Sequence, residues 1–546
     1  MLNDNNKYNN PHLIPPCQGG CPLDQDVRDY LHFIAMGEFK LSLQVIRRKN
    51  PLPSLCGTIC AHPCEENCRR GSVDEPLSIR ALKRAAVEFG RGGETEASGT
   101  GAEPCEGKGP KAGGKMKSSI QGQIAGRVAV IGSGPAGLTA ASDLVHDGWA
   151  ATVFEREGLP GGAPRNYIPF YRLPDGTIDE DIAELQELGV EFRTGLELGK
   201  DFSLKDLSEE GFHVVLLALG LPLSRSIPIQ GVEHPDVRLA LPFLKSVKAE
   251  GAELSGREII VIGGGNVAID TARTAVRCGA AAVRLVCLES EAESPAFPEE
   301  IEAAKDEGVE LHFSWGQGQI RFDGEKISGL DFVRCLSVFD DNNVFNPSFD
   351  EGQSKFVPGD MVIFSIGQMK DVPALGSMGL PLDDRGNLTL DPATGQTPLE
   401  GVFACGESVI GPGTAVKAMA DGRKAAGAVS AYLEGKDFVR SFDVVVTDPK
   451  SDTVVVPELE ADVAAKIKRI PRQAVPQLAP LERFGKFSPV EKGFSMAMAL
   501  WESRRCLSCA AGAQHLEAKC SRCLTCLRSC PYGVPLLGEG GDLLLR

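Results

Sequence analysis

With 546 residues the chain has room for roughly three to four domains, and its formal net charge of −17 argues against a nucleic-acid partner or docking on an anionic membrane. No apolar run approaches the ~18 residues of a spanning helix, and the start MLNDNNKYNN has neither the basic nor the apolar stretch of a signal peptide, so no membrane insertion and a cytoplasmic location are expected. Seventeen cysteines in such a chain ask for a role other than disulfides.

Residues 1–90 read as a helical, cysteine-rich domain. From Val27 to Ile46 the apolar residues Leu31, Ile34, Ala35, Leu41 and Val45 fall at helical spacing. The cysteines here run Cys17-x3-Cys21-Pro22, then Cys56-x3-Cys60-x3-Cys64-x3-Cys68. Spacing by four would make one helical stripe, but Gly57 and Pro63 are predicted to interrupt it. Residues 91–126, rich in Gly, Ser, Lys and Glu, cannot support a core and read as a flexible linker.

From Arg127 the texture changes to short apolar strands alternating with helices, the α/β pattern of doubly wound domains. RVAVI leads into Gly132-Ser133-Gly134-Pro135-Ala136-Gly137 and a helix, then ATVFE ends in Glu155. Gly132 permits the tight turn, Gly134 lets the backbone approach a pyrophosphate, and Gly137 lets helix and strand pack closely. Glu155 is placed to accept a ribose hydroxyl. A second unit follows: EIIVI, then Gly263-Gly264-Gly265-Asn266-Val267-Ala268, a helix, and VRLVCLES ending in Glu289. A carboxylate at Glu289 would bond the ribose 2′-hydroxyl and repel a 2′-phosphate, which favours NADH over NADPH. Arg284 and Arg277 are the counterweight, since either could meet a phosphate.

After about Arg440 the pattern fades, and residues 441–546 end in a second cysteine group. Cys520-x2-Cys523-x2-Cys526-x3-Cys530-Pro531 has the bacterial ferredoxin spacing for a [4Fe–4S] cluster, whereas structural zinc more often uses separated pairs. Cys506 and Cys509 could join Cys530 in another cube, but that totals only three ligands, so one or two cubes here stays open, with one favoured. The scattered Cys105, Cys278, Cys287, Cys335 and Cys405 read as ordinary core or loop residues.

These motifs together resemble the family of the glutamate synthase small subunit, which includes the flavin half of dihydropyrimidine dehydrogenase. The resemblance is carried by VIGSGPAG, Tyr171-Arg172-Leu173-Pro174, GGGNVAID, Phe364-Ser365-Ile366-Gly367-Gln368 and GVFACGES. It implies an FAD domain in two parts, residues 127–245 and 366–440, with an NAD(P)H-binding domain, 246–365, inserted between them. It places Gly406 near the flavin's ribityl chain, with Glu407 where most relatives have Asp, and a following helix from Gly413-Thr414-Ala415 aimed at the flavin. Arg156, Gly162 and Arg172 join the FAD set, and Gly367 the NAD(P)H set. The disulfide-reducing cysteine pair of many two-dinucleotide flavoproteins is absent from GLPGGAPRNYIPFYRLP.

The resemblance also extends to NPLPSLCGTICAHPCEENCRRG and implies iron–sulfur ligation there. Relatives carry a further Cys-x2-Cys before the position of Cys17, which is missing here. Lys83-Arg84 stands near the position where dihydropyrimidine dehydrogenase has a glutamine ligand. One complete N-terminal cluster is therefore expected, held by Cys21, Cys60 and Cys64 with the fourth ligand open among Cys17, Cys56 and Cys68. Two [4Fe–4S] clusters in all are expected, and three or more are allowed. The implied function is an NAD(P)H-dependent FAD/iron–sulfur oxidoreductase. It would pass electrons to a redox partner or larger subunit; the alternatives are a stand-alone reductase of a small acceptor, or the glutamate synthase small subunit itself.

Overall fold

The computed structural model describes residues 14–92, 126–437, 464–509, 535–537 and 543–545. By contact the chain divides into two units: residues 1–96, 440–475 and 493–546 form one, and residues 97–439 and 476–492 the other. The expected linker lies almost wholly outside the described residues, as does the ferredoxin-spaced run Cys520 to Cys530.

The larger unit is built on strands β1 (Arg127–Ile131), β2 (Ala150–Glu155), β3 (Glu191–Thr194), β4 (Val214–Leu217), β5 (Leu223–Ser224) and β6 (Val237–Leu239). They are followed by β7 (Glu258–Ile262), β8 (Ala282–Val286), β9 (Glu310–His312), β10 (Trp315–Asp323) and β11 (Lys326–Phe339). The last four are β12 (Phe345–Pro358), β13 (Met361–Phe364), β14 (Gln368–Met369) and β15 (Val402–Ala404). One parallel sheet has the order β15-β4-β1-β2-β3, with Val130 beside Val153 and Ala129 beside Val215. The other, β6-β13-β7-β8-β9, is also parallel. In each, the strand leading into a glycine turn lies between neighbours reached in opposite directions. That is the switch point where open α/β sheets bind ligands.

The apolar runs are buried because both faces of each sheet are covered. In β7, Ile259 and Val261 pack with Ala268, Ile269 and Ala272 of the helix Asn266–Arg277. Ile260 and Ile262 face the other way and pack with Ile320, Leu330, Phe332 and Val357. Those four belong to an antiparallel sheet, β10-β11-β12, which covers that face where helices were expected. Each fully buried aliphatic side chain stabilises by about 1.5–3 kcal/mol. The second lobe also starts earlier than residue 246. Val237 of β6 pairs with Val362, and Phe243, Leu244 and Val247 of the next helix join the core around Ile259.

The smaller unit is helical as expected, with two changes of detail. The segment Val27–Ile46 forms two helices, Val27–Ala35 and Phe39–Arg47, because Gly37 between them adopts φ +82°. Gly57 does not interrupt its helix, Pro53–Ile59; a Cβ there would come within 2.9 Å of Arg84 Cα, so the glycine permits close approach of the helix Ile79–Arg91. The break in the cysteine stripe falls instead between Cys60 and His62, and Pro63 opens the next short helix. The helix Met496–Ser503, from the far end of the chain, belongs to this same unit. No helix among the described residues is long and apolar enough to cross a membrane.

Candidate dinucleotide and iron–sulfur sites

The first glycine turn opens a cleft beyond the ends of β1 and β4. Gly132 has φ +106°, and a Cβ there would stand 2.4 Å from Ala218 O. A Cβ on Gly137 would meet Gly132 O at 2.1 Å. Gly134 differs: its Cβ position is open space, and it lines the cleft. Its neighbour Gly162, at φ +57°, would push a Cβ to 2.6 Å from Gly134 Cα. These glycines make a backbone cradle, and the helix Pro135–His146 begins on it, its N-terminal N–H groups suited to an anion.

Glu155 is buried at the cleft wall. Its carboxylate accepts from the Ser133 N–H at 3.0 Å, the Ser133 hydroxyl at 2.5 Å and the Glu157 N–H at 2.9 Å, which fixes its direction. Arg156 lines the same cleft, beside Glu157 and Glu197. On the opposite wall Gly406, at φ +76°, lies against Ala136 and donates its N–H to Asp421 at 2.7 Å. Burial raises the carboxyls of both Asp421 and Glu407. Glu407 accepts from the Gly413 N–H at 3.0 Å, which ties it to the turn where Thr414 caps the helix Ala415–Leu433. Asp421 was not singled out in the sequence; its place one helical turn beyond Ala418, which lines the cleft, was the available signal. Among the described residues no cysteine or histidine lines the cleft.

Arg172, expected with FAD, lies elsewhere. Its guanidinium pairs with the buried Asp270 at 2.8 Å, which needs a cation, and with the partly buried Glu300 at 3.0 Å. Tyr171 beside it donates to Asp270 O at 3.3 Å and lies beneath Arg273 and Arg277. The Tyr-Arg-Leu-Pro motif thus locks the two lobes of this unit together.

At the second turn Gly263 has φ +138°, and its Cβ would strike Ser365 O at 2.1 Å; Gly265 is open. The Glu289 carboxylate lies directly over the turn, 2.8 Å from where a Gly264 Cβ would stand. Asn266 accepts from the Phe297 N–H at 2.9 Å, Val267 is partly buried against the core, and Ala268 is fully buried. Gly367, at φ +112°, has open space at its Cβ. Arg284 is held by Glu258, Glu310 and Pro358 O. Arg277 is buried on Glu307. Neither is free to meet a phosphate. Two cations not singled out in the sequence, Arg334 and Lys355, stack on Trp315, whose backbone N–H bonds Cys287 O at this strand end.

In the smaller unit the thiols fall into two sets. Cys21, Cys56, Cys60 and Cys64 gather around the buried Lys83. The Cys56 thiol donates to Cys60, holding Cys60 down to about 6, while burial pushes Cys21 and Cys64 up. Burial alone would lower Lys83, but the surrounding sulfurs outweigh it and raise it. The Tyr30 hydroxyl, buried beside these thiols, has no hydrogen-bond partner among the described residues. Four thiols, one buried cation and an orphaned hydroxyl suit an anionic cluster whose sulfurs accept hydrogen bonds. Cys17 and Cys68 lie apart from this set, in a recess that Cys506 and Cys509 also line. Among the described residues no three His, Cys, Asp or Glu side chains converge tightly enough to hold a single metal ion.

A family model described as pyridine nucleotide-disulphide oxidoreductase matches residues 126–422, and one described as dihydropyrimidine dehydrogenase domain II, 4Fe-4S cluster, matches residues 13–94. The chain is similar to the NADP(+)-dependent formate dehydrogenase subunit beta of Moorella thermoacetica, 35% identical with 91% of this chain and 71% of that protein covered. It is also similar to the NADPH-Fe(3+) oxidoreductase subunit beta of Geobacter sulfurreducens, at 31% identity covering 90% and 75%. The NAD-dependent dihydropyrimidine dehydrogenase subunit PreT of Escherichia coli is 31% identical, covering 77% and 91%. Among solved structures, Mycobacterium tuberculosis FprA in complex with NADPH shares the fold alone, with a TM-score of 0.50 and 19% identity over 57% of this chain and 85% of that one. The chain therefore belongs to the pyridine nucleotide-disulphide oxidoreductase family, as an oxidoreductase whose FAD- and NAD(P)-binding folds are preceded by a 4Fe-4S domain of the dihydropyrimidine dehydrogenase type.

Proposed function

We propose that the chain is the nucleotide- and flavin-binding subunit of a larger cytoplasmic redox complex, carrying electrons between a nicotinamide dinucleotide, FAD and 4Fe-4S clusters to a partner protein. The observation that carries this reading is a glycine-turn cleft with no cysteine among its described lining residues, in a chain that also gathers four thiols around a buried lysine. Bound FAD would supply two-electron exchange with the nicotinamide and one-electron exchange with a cluster. Gly134 and the helix behind it would hold the pyrophosphate, Glu155 the ribose, and Gly406 with Glu407 the far end of the cofactor. Cys56 completes the N-terminal ligand set with Cys21, Cys60 and Cys64, and Lys83 offsets the cluster's negative charge. In the second lobe Glu289 would accept from both ribose hydroxyls, which favours NADH. The three relatives named above are all described as subunits, which supports the need for a partner.

The test is anaerobic mixing with NADH, following flavin absorbance and the EPR signal of reduced clusters together. Flavin bleaching should be followed by cluster reduction, and Cys64→Ser should abolish one cluster signal while FAD remains bound. Bleaching without any cluster signal would refute the relay.

A further inference from the structure

One Cys-x2-Cys pair, Cys506 and Cys509, lies far in sequence from the N-terminal cysteines and close to two of them in the fold. Cys506 and Cys509 line one recess with Cys17 and Cys68, although some 440 residues separate Cys68 from Cys506. We infer that these four thiolates ligate a second [4Fe–4S] cluster, closed by the C-terminal segment folding back on the N-terminal helices.

The backbone around the pair is built to hold that position. Arg505, immediately before Cys506, is fully buried. It bonds Glu502 at 2.6 Å, Asp74 at 2.9 Å, and the backbone oxygens of Glu75 at 2.7 Å and Ile470 at 2.9 Å. Glu502, equally buried, accepts from the Ser78 N–H at 3.0 Å and the Gln473 N–H at 2.9 Å. Arg70, two residues after Cys68, donates to Arg505 O at 3.3 Å. Two residues on one side of the recess and two on the other are therefore pinned by a buried ionic network, a rigid support of the kind a ligand set needs.

The chemistry of the recess fits a cube better than an ion. Zinc draws its sulfurs to ~2.3 Å from one centre and leaves no space between them. Here the four thiols line one recess from different sides, and no three of them converge on a point. Arg69 lines the same recess, and its buried Nε–H has no hydrogen-bond partner among the described residues. A cluster held by four thiolates is a net anion, and its sulfurs would accept that hydrogen bond. On ligation each thiol gives up its proton, so assembly releases protons to solvent. All four cysteines are partly exposed, whereas in the other set only Cys60 is and Cys21, Cys56 and Cys64 are buried, so a partner can come closer to this cluster than to the other.

The ligand set rests on the electron-transfer reading only for its purpose; its test is a count. The full chain, prepared without oxygen, is compared with Cys17→Ser/Cys68→Ser, Cys506→Ser/Cys509→Ser and the quadruple variant. Iron, acid-labile sulfide, zinc and FAD are measured per chain. Each pair should remove about four irons, and the quadruple variant no more than either pair, because one cube is lost in each. Loss of about eight irons in the quadruple variant would show that the pairs serve different cubes, and an unchanged count that neither serves one. Zinc in place of the lost iron would equally overturn the assignment. Should the serine variants not accumulate, Cys17→Asp and Cys509→Asp, each retaining an oxygen ligand, must alter the same EPR signal; changes in two different signals would refute the inference. If the counts behave as stated but NADH never reduces a cluster, the relay fails and the site stands.

Discussion

Gly134→Val separates binding from folding at the first glycine turn. Gly134 has φ −70° and ψ 176°, which any residue adopts, and a Cβ there meets nothing within 4 Å. The folded chain should tolerate valine, losing about 0.5–1 kcal/mol for a poorer helix N-cap. The dinucleotide should not tolerate it, because the new methyls occupy the space through which a pyrophosphate reaches the backbone N–H groups. Hydrogen bonds to a charged group contribute about 1.5–3 kcal/mol each, so losing one or two weakens FAD binding by roughly ten-fold to a thousand-fold or more. Gly137→Val is the contrast: its Cβ would stand 2.1 Å from Gly132 O, so the first sheet cannot close around it. The assay is FAD titration of deflavinated protein by fluorescence quenching, with a thermal melt of each variant. A folded Gly134→Val chain with wild-type FAD affinity would refute the assignment of this turn.

Glu289→Arg should shift the NADH to NADPH preference in flavin reduction by one or two orders of magnitude toward NADPH, at about 1.4 kcal/mol per decade. A wild type that already prefers NADPH would move the phosphate contact to Arg334 and Lys355. Arg505→Met should cost about 3–5 kcal/mol in denaturant unfolding of the smaller unit, since it strands the fully buried Glu502, and Arg505→Met/Glu502→Met should recover part of that loss. Burial would raise the Glu307 carboxyl, but bonds from Arg277 and Arg273 overcome it and hold it at about 2. A depressed carboxyl contributes stability above its unfolded value of ~4.3 and loses it as pH falls toward 2. The stability gap between wild type and Glu307→Gln should therefore be level from pH 8 to pH 5 and narrow below about pH 4.5; a gap that widens on acidification would contradict the pairing.

Much of the larger unit was legible because its signals are local. RVAVI and EIIVI each combine an apolar strand, a glycine turn and a helix within a short stretch, and the structure ends β2 at Glu155 as read from that pattern, whereas β8 stops at Val286 and Glu289 lies three residues beyond it, over the second glycine turn. The misreadings came from contacts remote in sequence. Arg172 looked like a flavin residue from its motif, yet Asp270 and Glu300, about 100 and 130 positions away, claim its charge. The β6 strand is only three residues long, too short for its period to declare a side, and its pairing with β13 decides its lobe. The antiparallel sheet over β7 was missed because Ile260 and Ile262 demand an apolar cover without specifying whether helix or strand supplies it.

The cysteines show the limit most sharply. Spacing points to a ligand set when the thiols lie close together in sequence, as the expectation for Cys520 to Cys530 assumes, because the chain between them is too short to go elsewhere. It says nothing when a set is closed across the fold. Cys56 and Cys68 are equivalent by spacing, each one step outside Cys60 and Cys64, but the helix Pro53–Ile59 turns Cys56 toward Lys83, and the clamp between Asp74 and Arg505 holds the chain beyond Cys68 against the segment bearing Cys506. The clamp joins charges close in sequence to the Cys506-x2-Cys509 pair: Glu502 lies in the helix Met496–Ser503, and Arg505, three residues on, immediately precedes Cys506. On the proposed ligand set, this buried ion pair is what holds Cys506 and Cys509 for a cluster whose other ligands lie hundreds of residues away in sequence.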